Sequence, residues 1–84
     1  MSSPPPVLTL YSRTGCHLCD EMLEDLKALQ ADVPFGVTVV DVDSDAALEA
    51  RYGEWVPALV DGDIELCHYH LDSVAVTEYL RKIR

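Results

Sequence analysis

Tyr11-Ser12-Arg13-Thr14-Gly15-Cys16-His17-Leu18-Cys19 joins two kinds of sequence. Before it stands Val7-Leu8-Thr9-Leu10-Tyr11, apolar and β-prone; after it, from Leu18, apolar residues recur with helical spacing. The junction predicts a strand, a turn and a helix, with Cys16 at the mouth of the helix and Cys19 one turn inside. Two thiols three residues apart on a first helical turn share a side and lie close enough for a disulfide. The free N–H groups and the helix dipole favour a thiolate at Cys16 over one at Cys19. Thiolate is the nucleophilic form, so Cys16 is expected to attack a partner disulfide and Cys19 to resolve the mixed disulfide.

Working outward, Leu18, Met22, Leu26 and Leu29 follow one another at helical intervals, with Asp20, Glu21, Glu24 and Asp25 on the other side. This is an amphipathic helix, and it should end near Asp32-Val33-Pro34, where proline forbids continuation. Val37 to Val42 reads as a second strand. Ser44 is the expected N-cap of a short helix over residues 45–52, with Leu48 and Tyr52 on one face and Gly53 as a left-handed stop. Pro57-Ala58-Leu59-Val60 and Ile64-Glu65-Leu66-Cys67-His68 flank Asp61-Gly62-Asp63, a hairpin pattern. Asp72 or Ser73 caps a last helix carrying Val76, Tyr79, Leu80 and Ile83. The order β-α-β-α-β-β-α implies an α/β fold: a four-stranded mixed sheet, parallel in its first half, with helices on both faces. The cysteines then sit at the carboxyl end of the first strand, where open α/β sheets place their sites.

A chain of 84 residues with 49% hydrophobic content can bury one core and has no room for a separate cofactor domain. Residues 7–84 are read as that domain and residues 1–6, Met-Ser-Ser-Pro-Pro-Pro, as a disordered or polyproline lead-in. The lead-in has no apolar signal-peptide core, and no stretch approaches the roughly 18–20 apolar residues of a membrane span. A cytoplasmic, monomeric protein is the expectation. The formal charge of −9 argues against nucleic acid and membrane surfaces as partners; it serves solubility or a choice of basic-surfaced partners. Three of the six basic residues, Arg81, Lys82 and Arg84, close the chain, where they complement a helix C-terminus. Three cysteines are an odd count, unlike a secreted disulfide scaffold, and fit redox chemistry better.

With Cys16-x-x-Cys19 after the first strand and Val56-Pro57 opening the third, the chain resembles the thioredoxin fold, and within it a glutaredoxin-type minimal domain, over residues 7–83. Arg13, three residues before the first cysteine, is similar to the basic residue of the glutaredoxin pattern. The resemblance implies a small thiol-disulfide oxidoreductase that reduces protein or glutathione mixed disulfides without a bound cofactor. Glutathione would be a co-substrate, and glutathione or a thioredoxin-type reductase would supply electrons. It further implies that Pro57 is a cis-proline lying against the disulfide, that Val56 offers backbone groups to substrate, and that Arg13 and Asp72 bind charged groups of the donor thiol. Two departures stand out. His17-Leu18 replaces the usual Pro-Tyr between the cysteines, and His68-Tyr69-His70-Leu71 precedes Asp72 where glutaredoxins carry a Gly-Gly pair. Without small residues there, close backbone approach by glutathione would be blocked.

Competing readings follow each residue. Cys16 and Cys19 could be half a zinc site, but the further ligands on offer are Cys67, His68 and His70, and Cys67 faces away from both histidines on a strand. No metal site is therefore expected, and the alternative function is a non-enzymatic redox-sensing, metal-holding or iron–sulfur module. His17 either favours the Cys16 thiolate as a nearby cation or donor, or is a solvated loop residue. Asp20 and Glu21 oppose the thiolate, which predicts a moderately acidic Cys16 and a reductant. Arg13 is either a substrate anchor or a surface salt bridge, and Pro57 either cis or a trans strand opener. Trp55 either covers the disulfide or a partner, or is a half-buried anchor. Cys67 is either a third redox thiol or a small apolar core residue.

Overall fold

A computed structural model describes residues 4–83; the Met1–Ser3 part of the lead-in and the terminal Arg84 lie outside the described residues. The elements are β1 (Val7–Ser12), α1 (His17–Gln30), β2 (Gly36–Asp41), a 3-10 turn (Val42–Ser44), α2 (Ala46–Tyr52), β3 (Ala58–Asp61), β4 (Ile64–His68) and α3 (Ser73–Lys82). They form one mixed sheet in the order β2-β1-β3-β4. β1 pairs parallel with β2, Val7 opposite Gly36 through Ser12 opposite Asp41. β3 runs antiparallel to β1, Leu10 opposite Leu59, and β4 antiparallel to β3. Pro6 extends the first ladder: its carbonyl accepts the Gly36 N–H at 2.8 Å.

Alternation along the strands assigns the two faces. Leu8, Leu10 and Leu59 point to one side, where Met22 and Leu26 of α1 and Val76 and Leu80 of α3 close over them with Val33 and Phe35. Ala58 and Val60 point to the other, beneath Val42 and Tyr52, with Tyr11, Leu48 and Val56 at the edge. Helices on both faces make three layers. Full burial of each of these aliphatic side chains contributes roughly 1.5–3 kcal/mol against an exposed reference.

The stripe of α1 is centred one residue away from the expectation: its buried positions are Cys19, Met22 and Leu26, and Leu18 is half-buried. One cysteine of the pair is thus a core residue. The helix stops at Gln30, whose side-chain amide donates to the Phe35 carbonyl at 2.9 Å and ties the Pro34 turn to it.

Three local expectations need correction. The second strand spans Gly36–Asp41, and Val42 opens the 3-10 turn, where it is fully buried. Ser44 is not the cap of α2; Asp45 is, accepting the Ala47 N–H at 2.8 Å, while the Ser44 hydroxyl donates back to the Asp41 carbonyl at 2.6 Å. Gly53 is no left-handed stop, having φ −53°. Glycine is required there by proximity: a Cβ would stand 2.5 Å from the Glu49 carbonyl oxygen. The hairpin closes through Gly62-Asp63, with Asp61 opposite Ile64. Leu59 pairs with Cys67 but Val60 with Glu65, so Leu66 is an extra, bulged residue. Leu66 and Cys67 consequently both pack against the first core. Among the described residues no helix is long and apolar enough to cross a membrane.

Candidate active site

The turn Arg13-Thr14-Gly15 carries the chain from β1 into α1. Gly15 has φ +79°, a conformation costly for a residue with a Cβ, and the Cys16 N–H closes the turn on the Arg13 carbonyl at 3.3 Å. Cys16 is the N-cap of α1, with extended backbone angles, and its sulfur accepts the Cys19 N–H at 3.1 Å. Cys16 and Cys19 are joined as a disulfide with Cα atoms 5.2 Å apart. The pair is unequal. Cys19 is 5% exposed and belongs to the core, whereas Cys16 is half-exposed. Attack from outside therefore reaches Cys16, the sulfur that the helix N-terminus stabilises as a thiolate. His17, the first helical residue, is exposed.

Pro57 is buried, and the peptide bond between Val56 and Pro57 is cis. It immediately precedes Ala58, which lies opposite Tyr11. The register thus brings Val56-Pro57 beside the end of β1, where the cysteine turn begins. The Pro57 carbonyl accepts the Tyr69 N–H at 2.8 Å. Tyr69 has φ +64° and donates its hydroxyl to the Glu54 carbonyl at 2.9 Å. Its ring meets His68 edge-on, centroids 4.7 Å apart, and His68 meets Trp55 at 5.3 Å. Trp55 is 44% exposed and packs in this cluster as a surface residue, edge-on to His68 and tilted against Tyr69.

Arg13 turns toward α2. Its guanidinium donates to both carboxylate oxygens of Asp43 at 3.1 and 3.2 Å, to Glu49 at 3.0 Å and to the Gly53 carbonyl at 3.4 Å. Hydrogen bonding to Asp43, then to Glu49, raises its pKa further above the ordinary arginine value. The clasp joins the cysteine turn to the segment leading to Pro57. Asp72 is the N-cap of α3, accepting the Ala75 N–H at 3.0 Å. Cys67 is half-buried; desolvation pushes its thiol above the ordinary range, partly offset by the Asp72 backbone N–H. Among the described residues no three His, Cys, Asp or Glu side chains gather as a metal site would require.

The structure thus brings Cys16, Cys19, Val56 and Pro57 to one end of the two central strands, gives Asp72 a capping role and directs Arg13 to two carboxylates. Sequence reading missed Asp43 and Glu49 as partners of Arg13, because nothing local marks residues thirty and thirty-six positions apart. It missed Tyr69 because a positive φ is signalled by glycine, which is absent there.

A disulfide-distance cysteine pair at the first strand-to-helix turn of this sheet defines the class: an α/β protein of the thioredoxin superfamily. More narrowly, the chain belongs to the glutaredoxin-like domain family (DUF836), which matches residues 7–81. It is similar to a Nitrosomonas europaea protein solved by NMR, 41% identical with a TM-score of 0.83, covering 94% of this chain and 95% of that one. An X. campestris protein solved by X-ray diffraction is also 41% identical, with a TM-score of 0.67 over 89% of this chain and 96% of that one. Thioredoxin 1 of Thermosipho africanus, 16% identical at a TM-score of 0.60 over 92% and 97% of the two chains, shares the fold. An uncharacterized protein of Mycobacterium tuberculosis is 27% identical over 73 residues, 81% of this chain and 75% of its own.

Proposed function

We propose that this protein is a thiol-disulfide oxidoreductase that reduces disulfides through Cys16 and Cys19. The observation that carries the reading is the unequal pair: an accessible sulfur on a helix N-terminus, backed by a buried partner one turn away. In the reduced protein the Cys16 thiolate attacks one sulfur of a substrate disulfide, and the second substrate sulfur leaves as a thiolate that takes a proton. Cys19, deprotonated, then attacks Cys16 in the mixed disulfide. The first substrate thiol is released and the Cys16–Cys19 disulfide forms. Two electrons have passed to the substrate, and an external thiol reductant, glutathione or a thioredoxin-type reductase, restores the dithiol. No prosthetic group enters this cycle, which calls for a reducing compartment such as the cytoplasm.

Val56 and Pro57 would flank the substrate beside Cys16, with the substrate chain running along the backbone of Val56. The test is disulfide reduction by the Cys16→Ser and Cys19→Ser variants. The first is expected to lose all turnover and the second to accumulate a mixed disulfide on Cys16. Full activity in the Cys16→Ser variant would overturn the assignment.

A further inference from the structure

Building on that redox reading, we propose that Tyr69 is a positioning residue for disulfide reduction. Through its N–H and its hydroxyl it holds both ends of the stretch 54–57, and so fixes the Val56 backbone along which a substrate chain lies. It acts through Val56 and not on the reacting sulfurs. The Tyr69 N–H donates to the Pro57 carbonyl at 2.8 Å, and the Tyr69 hydroxyl donates to the Glu54 carbonyl at 2.9 Å. One residue thus ties down the carbonyls on either side of Trp55-Val56. Val56 is half-buried and lies outside β3. Among the described residues, neither its N–H nor its carbonyl enters the backbone hydrogen bonds of turns, loops and caps. An extended substrate chain can pair with these two groups as a strand pairs at a sheet edge. Their direction is set by the neighbours that Tyr69 holds.

The cysteine side of the gap is anchored separately. Ala58 lies opposite Tyr11, so Val56, two residues earlier, stands level with the turn that leads to Cys16. From that turn the Arg13 guanidinium reaches the Gly53 carbonyl at 3.4 Å, while its other donors are taken by Asp43 and Glu49. The bond to Gly53 is long and falls one residue outside the stretch. The placing of Val56 is therefore left to the shorter pair of bonds from Tyr69.

A tyrosine is costly to hold in this backbone conformation. At φ +64° a glycine would make the N–H bond to Pro57 equally well, without the steric penalty of a Cβ. Glycine cannot supply the hydroxyl on Glu54, nor the ring that stands edge-on to His68 at 4.7 Å and 6.2 Å from Trp55. Strained backbone of this kind persists where the surroundings over-determine it, and it gathers at functional sites.

The experiment gives the pre-reduced full chain two disulfides under single-turnover conditions: an extended peptide disulfide that can run along Val56, and bis(2-hydroxyethyl) disulfide, which is too small to do so. Tyr69→Phe keeps the ring and loses the hydroxyl. It should raise the half-saturation concentration for the peptide roughly 3- to 10-fold, the reach of one net hydrogen bond. Its limiting rate with the peptide, and its rate with the small disulfide, should match wild type. Tyr69→Gly, which keeps the backbone bond to Pro57, should weaken peptide binding at least as much while sparing the small disulfide. In both variants the amide resonances of Trp55 and Val56 should move and those of Cys16 and His17 stay in place. Peptide kinetics in Tyr69→Phe equal to wild type, or an equal loss on both disulfides, would overturn the role of Tyr69 and leave the redox reading intact. Wild-type protein inert toward both disulfides would overturn the redox reading, and the role assigned to Tyr69 with it.

Discussion

The Cys19 N–H donates to the sulfur of Cys16 at 3.1 Å, while the Cys19 side chain itself is sealed in the core. A thiolate at Cys16 keeps that donor, and charge strengthens the bond; a thiolate at Cys19 would be stripped of water instead. Brief treatment of the reduced protein with iodoacetamide is therefore expected to modify Cys16 at least ~10-fold faster than Cys19, because the reaction follows thiolate content and access. Cys67 should be slow as well. Burial raises its pKa, so at neutral pH it stays protonated, and its rate should climb only at pH above the ordinary thiol value of about 8.5. Peptide mapping by mass spectrometry across a pH series reads all three sites; rapid labelling of Cys67 at neutral pH would contradict the account.

Tyr69 holds a left-handed backbone, φ +64°, that ordinary side chains avoid. Contacts of its ring and hydroxyl with His68 and Glu54 hold it there. Removing the side chain removes that support, and the backbone preference then decides. Tyr69→Gly should be more stable than Tyr69→Ala by about 1 kcal/mol, the reverse of the usual order, because alanine retains the steric cost of αL. Urea denaturation of the two variants measures the difference.

How much of this was legible beforehand differed by the range of the forces involved. Cys16 at a helix mouth, the Gly62 turn and the Asp72 cap are written in a few adjacent residues, and their local chemistry shows in the sequence. Cys19 as a core residue was harder, since Leu18 beside it is more hydrophobic; the helix is rotated by its packing against Leu8 and Leu10, which only the assembled sheet fixes. The bulge at Leu66 has no glycine to announce it. Arg13, one basic residue in a very acidic chain, reads locally as a substrate anchor ahead of a surface salt bridge, and only the turn that brings Asp43 and α2 alongside it shows the clasp. Gly53 was assigned the wrong reason, because a glycine demanded by a carbonyl oxygen looks the same in sequence as one demanded by φ.

The Tyr79 hydroxyl donates to an Asp61 carboxylate oxygen, linking α3 to the end of β3. That hydrogen bond, with burial and the nearby carboxylate charge adding to it, raises the phenol's pKa above its ordinary value of about 10. A pKa raised by folding means that the bond's contribution is fully present below the unfolded value and is lost as pH rises through the folded one. Wild-type protein should therefore hold a stability advantage over Tyr79→Phe at neutral pH that narrows from about pH 10 upward. Paired urea titrations across that range decide the matter. An advantage unchanged into strong alkali would mean that the phenol's proton is not what joins the helix to the sheet.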